Sequence, residues 1–243
     1  MPEGRMTEPA ASSALIGVGV GPGDPELLTV RGIRALREAD RVLAPSSALD
    51  AVGRAESIVR QACPGSRVER LLFAMGDAGA SIDDAAATVV AGLDAGQRLA
   101  FVTLGDPNIY STFSSVAARV RELRPGAVIE TVPGIMAFQE LAARSGTVVL
   151  QNTERLALIT ALDGPGALIG ALADPTQAVV VYKGGRHLPA MAAELAAAGR
   201  LDGAVVGELM GLPGERVVAV ADAADGPAAY LATVIVPPTG RAG

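Results

Sequence analysis

Three glycine-rich stretches of the chain each follow a β-rich run and could hold a ligand through the backbone. They read GVGVGPGDPELLT from Gly17 to Thr29, TLGDPNIYST from Thr103 to Thr112, and TVPGIMA from Thr131 to Ala137. Glycine allows the backbone to approach a bulky ligand closely, and proline fixes the direction in which the chain leaves a strand. Each stretch alone also fits an ordinary turn between a strand and a helix. Because all three end strands of one α/β pattern, they predict one shared ligand-binding crevice.

The first loop does not fit the common nucleotide-binding motifs. In a G-x-G-x-x-G motif the last glycine falls at Pro22 or at Asp24, depending on the register. The second strand-like run ends in Pro45 and Ser46, where a dinucleotide site needs an acid for the ribose. A Walker A loop needs a glycine followed by lysine, and Lys183, the only lysine, follows a tyrosine. The sequence therefore argues against NAD and ATP as ligands.

Composition excludes several other classes of function. Cys63 and His187 are the only cysteine and the only histidine, which argues against an internal disulfide, a zinc site and a serine triad. A net charge of -6, no tryptophan and 3% aromatic residues provide neither a basic face nor stacking rings for nucleic acid. No apolar run approaches the roughly 18 residues that cross a bilayer. We expect a soluble, cytoplasmic protein without a metal, in which residues 1–13 and 240–243 are disordered tails.

The elements that position the loops follow an alternating pattern. From Ala14 to Val132, β-rich runs alternate with helical patterns, which predicts an α/β domain over 14–135 with a mostly parallel sheet. Two helix starts are predicted, one capped by Asp24 before Pro25 and one by a capping box at Ser81. From residue 136 the helices become fewer and shorter, which predicts a second, smaller α/β domain over 136–239.

Five motifs occur in the order found in a known family. They are VGVGPGDPELLT, LGDPNIYST, ETVPGIMAFQELAARSG, VVYKGGRH and GLPGERV, and the likeness extends from Leu15 to Pro238. On these motifs the chain resembles the tetrapyrrole methylases, which use S-adenosylmethionine (SAM) on corrin precursors. The stretches GRAE, YSTF and LAARSGT resemble the branch that methylates precorrin-2 at C20, giving precorrin-3A in vitamin B12 biosynthesis.

The resemblance implies two α/β domains, the C-terminal one with a mixed sheet, SAM bound between them, and a homodimer. It also implies the residues that contact the cofactor: Pro22, Gly105, Asp106, Ile109, Met136, Ala137, Lys183 and Met210. Many relatives have threonine or serine at the position of Met136 and a hydrophobic residue at that of Lys183. Asp106 can also order its loop instead of contacting the cofactor.

The residue inventory agrees with methyl transfer to carbon. Transfer from a sulfonium to an electron-rich ring carbon needs alignment more than acid or base groups. Tyr110 is the candidate for a catalytic hydroxyl near the methylated carbon, and its alternative role is packing. The implied substrate carries eight carboxylates, for which the candidate partners are Arg54, Arg144, Arg186 and His187.

Two alternatives stay open at this point. One is methylation of the cobalt-bearing counterpart of the substrate, which belongs to the anaerobic route. The other is a protein that binds SAM or a tetrapyrrole without turnover. The same loops serve all three functions.

Overall fold

The chain forms two compact units in the computed structural model, which describes residues 13–48, 50–73 and 78–240. The first unit comprises the chain up to Gly21 together with Pro25–Ile135. The second comprises Pro22–Asp24 and the chain from Met136 onward. Of the predicted tails, 1–13 and 240–243, all residues but Ser13 and Gly240 lie outside the described residues.

The first unit is built on a sheet of five parallel strands in the order β3-β2-β4-β1-β5. The strands are β1 (Ala14–Gly19), β2 (Arg41–Ser46), β3 (Val68–Leu72), β4 (Arg98–Thr103) and β5 (Ile129–Val132). Gly19 of β1 pairs with Thr103 of β4, and Val18 pairs with Val132 of β5. The ends of β1, β4 and β5 therefore lie side by side, and the predicted parallel sheet is confirmed.

Four helices cover the two faces of this sheet. They are α1 (Val30–Glu38), α2 (Arg54–Ala62), α3 (Ala78–Asp94) and α4 (Thr112–Leu123). Residues of α1 and α2 pack against Ile16 and Val18 of β1, whereas residues of α3 and α4 share a second cluster with Leu15. Burial on both faces explains why β1 is apolar throughout, as a central parallel strand requires. A side chain at Gly17 would lie 2.5 Å from the ring of Phe113, so only glycine fits there.

The two predicted helix starts are wrong. Pro25–Leu27 forms a short 3-10 turn, and α1 begins at Val30, where the Thr29 hydroxyl accepts a hydrogen bond from the Gly32 amide at 3.0 Å. Thr29 thus provides the cap that the proline motif predicted five residues earlier. Ser81 lies inside α3, which starts at Ala78, so its hydroxyl cannot occupy the cap position.

The second unit has a mixed sheet of five strands in the order β6-β7-β10-β8-β9. The strands are β6 (Arg155–Thr160), β7 (Gln177–Tyr182), β8 (Val205–Glu208), β9 (Arg216–Ala219) and β10 (Thr233–Val236). β6 and β7 are parallel, and the other neighbouring pairs are antiparallel. The carboxyl ends of β6, β7 and β8 therefore share one edge with the start of β10. This arrangement confirms the predicted mixed C-terminal sheet.

Three helices belong to the second unit: α5 (Ala137–Ser145), α6 (Gly166–Ala171) and α7 (Leu188–Ala197). Leu141 of α5 packs with Val180, Met210 and Ile235 on one face of the sheet. The buried side chains of α6 and α7 form a separate cluster with Val179 and other strand residues. Among the helices of the described ranges, none is long and apolar enough to span a membrane.

Candidate functional site

The three glycine loops supply neighbouring backbone segments at the carboxyl edge of the first unit's sheet. Gly21 and Gly105 form a β-bridge, in which the Gly105 amide donates to the Gly21 carbonyl at 2.9 Å. A side chain at Gly19 would lie 2.7 Å from the Gly134 nitrogen and would collide with the Gly105 carbonyl. The loops after β1, β4 and β5 therefore pack backbone against backbone at one edge of the sheet, and the shared ligand-binding crevice stays a prediction. Only glycine allows this close approach.

Asp106 connects two of these loops. One of its carboxylate oxygens accepts from the Asn108 amide at 2.9 Å, and the other accepts from the Gly134 amide at 3.2 Å. The Asn108 side-chain amide also donates to the Thr131 hydroxyl at 3.3 Å. Both carboxylate oxygens are thus used inside the protein, which favours the loop-ordering role of Asp106.

The loop after β4 leads directly into α4. The Ser111 hydroxyl donates to the Thr103 hydroxyl at 3.0 Å and accepts from the Phe113 amide, also at 3.0 Å. Ser111 therefore caps α4 and fixes its positive end beside the carboxyl edge of the sheet. Ile109 is half-buried in this loop, and Tyr110 is 47% exposed with a left-handed backbone φ of 50°.

In the second unit, the Pro22–Asp24 segment packs against the loop after β8. A side chain at Gly23 would collide with the Met210 carbonyl, and one at Gly211 would lie 2.6 Å from the Gly23 carbonyl carbon. The Met210 side chain itself is buried with Leu141 in the core, so Met210 adjoins this segment through its backbone. Pro22 and Met210 thus belong to one part of the molecule.

Met136 and Ala137 lie at the start of α5. Met136 occupies the cap position, and its amide donates to the Gln139 side-chain oxygen at 2.9 Å. Gln139 thus supplies the glutamine half of a capping box, in which the third helical residue accepts from the amide of the cap residue. The Phe138 amide donates to the Tyr182 hydroxyl at 3.4 Å, which links the helix start to the end of β7.

Lys183 and Leu209 directly follow β7 and β8. Both have left-handed backbones, with φ values of 57° and 50°. Burial lowers the pKa of the half-buried Lys183 ammonium. Left-handed geometry in residues other than glycine costs free energy and is concentrated at functional sites. Two such residues, after the two strands that flank β10, mark this edge as the candidate site of the second unit.

The four candidate substrate residues fall into separate groups. Arg54 is the first residue of α2, in the first unit. Arg144 donates to Glu140 at 2.6 Å and to Glu215 at 3.0 Å, and the hydrogen bond to Glu140 raises the pKa of the guanidinium. This pairing leaves Arg144 less available for an anionic ligand than an unpaired arginine.

Arg186 and His187 lie together in the turn after β7. The Arg186 guanidinium donates through Nε to His187 Nε2 at 2.9 Å, and through Nη2 to the Leu162 carbonyl. These contacts hold the exposed guanidinium beside the end of β6. Of the predicted set, only Arg186 and His187 are joined by a hydrogen bond.

Sequence reasoning missed two polar residues that shape the loops. Glu215 accepts from the Gly211 amide at 2.8 Å as well as from Arg144, and Glu208 accepts from the Ala229 amide at 2.7 Å. Their partners are distant in sequence or are backbone groups, so no local pattern reveals the contacts. The only available signal is an acid at the end of a strand or in a glycine-proline turn. In the described ranges, no group of three or more potential metal-ligating side chains occurs.

Residues 14–224 match the family model of the tetrapyrrole (corrin/porphyrin) methylases. The precorrin-2 C(20)-methyltransferase of Sinorhizobium sp. is 34% identical over 236 residues, which cover 92% of this chain and 94% of that protein. The cobalt-precorrin-2 C(20)-methyltransferase of Salmonella typhimurium is 31% identical over 91% of this chain and 95% of that protein.

Solved structures have the same fold. A cobalamin synthesis related protein (CobF) from Corynebacterium diphtheriae superimposes with a TM-score of 0.73 at 19% identity, over 95% of this chain and 100% of that one. The uroporphyrin-III C-methyltransferase from Thermus thermophilus complexed with S-adenosylhomocysteine has a TM-score of 0.65 at 22% identity, over 92% and 97% of the two chains. At these identities the likeness establishes the fold.

Proposed function

The chain belongs to the tetrapyrrole (corrin/porphyrin) methylases, and from this membership we propose that it transfers the methyl group of SAM to C20 of precorrin-2, giving precorrin-3A. It is a SAM-dependent C-methyltransferase of cobalamin biosynthesis. The observation that carries the proposal is the 34% identity to a precorrin-2 C(20)-methyltransferase over 92% of this chain and 94% of that protein. This extent covers both units and all five motifs.

The glycine loops fit SAM as a cofactor. At Gly19 and Gly134 a Cβ atom would collide with neighbouring backbone, so this part of the edge presents main chain instead of side chains. We assign the amino-acid end of SAM to the segment 105–109, beside the capped start of α4, where a helix N-terminus favours a carboxylate. The other residues that we assign to the cofactor are Pro22, Met136, Ala137, Lys183 and Met210.

Methyl transfer to carbon requires few acid or base side chains. Bound SAM would supply an electrophilic methyl group on a positively charged sulfur, and the electron-rich C20 of the substrate takes it up. The loops contribute alignment of the two reactants, which lowers the barrier by holding the reacting atoms in line. The transfer releases S-adenosylhomocysteine, and the methylated carbon then loses a proton that ends in solvent. Tyr110 is our candidate for the hydroxyl beside that carbon that assists this proton transfer. Asp106 supports this geometry through its hydrogen bonds to the Asn108 and Gly134 amides.

The substrate is a polyanion, whereas the chain has a net charge of -6. Cationic side chains must therefore be concentrated locally where the substrate binds. We assign this role to Arg54 and Arg186, and we assign His187 to the same substrate site as the hydrogen-bonding partner of Arg186. Arg144 stays a weaker candidate because Glu140 and Glu215 already neutralise it. A cytoplasmic homodimer is the assembly and location that we propose on the basis of the family.

A cobalt-bearing substrate is the second candidate. The 31% identity to a cobalt-precorrin-2 C(20)-methyltransferase, over nearly the same share of this chain, favours it specifically. Both substrates expose the same C20 carbon, so the same residues serve either reaction. The two candidates differ only in which tetrapyrrole supports turnover.

The test is an incubation of the purified protein with SAM and either precorrin-2 or its cobalt complex. We expect S-adenosylhomocysteine to be released and the tetrapyrrole to gain one methyl group. With ¹³C-methyl SAM, the NMR spectrum should locate the label at C20. Release without labelling at C20 contradicts the regiochemistry, and binding of both ligands without release indicates a protein that only binds them.

A further inference from the structure

Tyr230 is the most exposed aromatic side chain of the chain, with 61% of its surface accessible. It lies in the second unit, in the segment that leads into β10. Single exposed apolar residues are common on protein surfaces and need no explanation. Tyr230 differs because the backbone around it is held in place on several sides.

The segment before Tyr230 is attached to two neighbouring elements. The Ala228 amide donates to the Gly185 carbonyl at 2.8 Å, in the turn after β7. The Ala229 amide donates at 2.7 Å to the buried Glu208 carboxylate, which Arg216 also contacts. A side chain at Gly185 would lie 2.7 Å from the Ala228 carbonyl oxygen, so the two segments are in close contact.

A β-turn then presents the tyrosine. The Ala232 amide donates to the Ala229 carbonyl at 2.8 Å, which makes Tyr230 and Leu231 the central residues of the turn. Because the first residues of this turn are fixed to Gly185 and Glu208, the position of Tyr230 relative to the end of β7 is fixed as well. An exposed aromatic ring on a constrained turn loses little conformational freedom when it binds a ligand.

A guanidinium lies on the segment that this turn contacts. Gly185, whose carbonyl accepts from the Ala228 amide, is followed directly by Arg186. The Arg186 guanidinium is exposed and is held by the Leu162 carbonyl and by His187. The edge of the second unit therefore combines a flat aromatic ring with a preorganised guanidinium.

We propose that Tyr230 is a specificity-determining residue that packs against a pyrrole ring of the tetrapyrrole while Arg186 pairs with a peripheral carboxylate. The inference rests on the proposed function. A ligand with flat rings and carboxylates at its rim is recognised by aromatic contact together with charge-assisted hydrogen bonds. SAM also carries a flat adenine ring and a carboxylate, so its affinity is measured in the same variants.

The test compares Tyr230→Phe and Tyr230→Ala with the matched control Leu123→Ala, which removes a similarly exposed apolar side chain from the end of α4. For the tetrapyrrole, we expect the alanine variant to raise KM about tenfold with kcat nearly unchanged. Tyr230→Phe and Leu123→Ala should behave like the wild type. The Kd for SAM, measured by calorimetry, should not change in any variant.

Three results would overturn the proposal. They are an unchanged KM in Tyr230→Ala, an equal loss of SAM affinity, and a change of oligomeric state in sedimentation, which would assign the surface to a second copy of the chain. If the wild type shows no turnover at all, the proposed function fails, and the inference is then tested by binding alone. In a titration with uroporphyrin III, a stable octacarboxylic tetrapyrrole, Tyr230→Ala should weaken binding about tenfold. Unchanged binding contradicts the role of Tyr230.

Discussion

Left-handed backbone geometry distinguishes individual residues at the carboxyl edges of both sheets. Tyr110, Lys183 and Leu209 adopt φ values between 50° and 57° in the loops after β4, β7 and β8. Each such residue costs about 1–3 kcal/mol, and the surrounding hydrogen bonds must supply that free energy. At the end of β4 the bonds of Asp106 and Ser111 do so. The shape of these loops therefore depends on left-handed backbone conformations, and single substitutions can test this dependence.

Gly105→Val should abolish SAM binding while the protein stays folded. Gly105 has a φ of 63° and forms the bridge to Gly21, so a β-branched side chain strains the backbone and displaces the loop. Calorimetry with SAM measures the loss, and circular dichroism checks the fold.

Gly126→Val is the matched control for this strain. Gly126 has a φ of 87°, lies between α4 and β5, and has nothing within 4 Å of the added Cβ. It should lower the melting temperature by a similar amount and leave SAM affinity unchanged. Normal SAM binding by Gly105→Val would place the cofactor site elsewhere.

Tyr110→Phe should keep SAM affinity and lower turnover. The residue is 47% exposed and the Ser111 cap holds the backbone that follows it, so removal of the hydroxyl alone should leave the loop intact. A hydroxyl that assists proton removal contributes at least about a hundredfold, so we expect kcat to fall by about that factor. Single-turnover kinetics with saturating SAM measure the effect. A wild-type kcat would assign Tyr110 to packing.

At the scale of elements, α2 is attached to β3 by a buried carboxylate. The Glu56 side chain is 0% exposed and accepts hydrogen bonds from Arg70 of β3, at 2.5 and 2.9 Å, and from Arg60 of its own helix. The hydrogen bond from Arg70 lowers the pKa of Glu56. This attachment fixes the start of α2 and with it Arg54, the candidate partner for a substrate carboxylate.

Glu56→Gln should lower the free energy of unfolding by about 2 kcal/mol, because the charge-assisted hydrogen bonds from Arg60 and Arg70 to the carboxylate are lost. The loss stays moderate because both arginines keep access to water. The lowered pKa makes the contribution of Glu56 complete above the unfolded value of about 4.3. It is lost as pH falls from there through the folded pKa. Urea unfolding from pH 7 to pH 3 should therefore show a weaker decline in Glu56→Gln than in the wild type.

Glu69→Gln provides the comparison for this pH profile. Glu69 is an exposed carboxylate on β3 that pairs with Arg41. Exposed pairs contribute at most about 1 kcal/mol, so its acid profile should follow that of the wild type. If both variants behaved alike, the triad of Glu56, Arg60 and Arg70 would have no special role in fixing α2.

The elements also show what the sequence could and could not predict. Hydrophobic patterning placed every strand within a few residues, and the three glycine loops were expected to meet because parallel strands end at one edge. The start of α1 was misplaced because the Asp24-Pro25 pair resembles a helix cap, whereas the chain makes a 3-10 turn before Thr29. The bond between Asp106 and Gly134 joins residues 28 positions apart. No local pattern encodes it, and the same holds for the contact of Ala228 with Gly185.

At the scale of the whole molecule, most candidate cofactor residues lie in loops that follow the strands of the two sheets. Most substitutions in these loops should leave the cores intact, because the largest fully buried side chains lie within strands and helices, and Met210, which packs with Leu141, is an exception. The cores thus determine stability, while the loops determine which ligand binds. A ligand that binds only the folded chain must then add to the free energy of unfolding.

SAM and S-adenosylhomocysteine should raise the melting temperature, whereas NAD and ATP should not. A ligand at a hundred times its Kd stabilises the folded state by about 2.7 kcal/mol, which raises the melting temperature by roughly 5–11 °C for a chain of this size. NAD and ATP should have no effect because the first loop lacks both phosphate-binding motifs.

EDTA should change neither the melting shift caused by SAM nor turnover, since the described residues contain no cluster of metal ligands. Differential scanning calorimetry at matched concentrations measures the melting temperatures, with Gly105→Val as the variant that should lose the shifts by SAM and S-adenosylhomocysteine, and the release of S-adenosylhomocysteine measures turnover in EDTA. Stabilisation by NAD, or loss of turnover in EDTA that zinc restores, would contradict the assignment of the glycine loops to SAM without a metal.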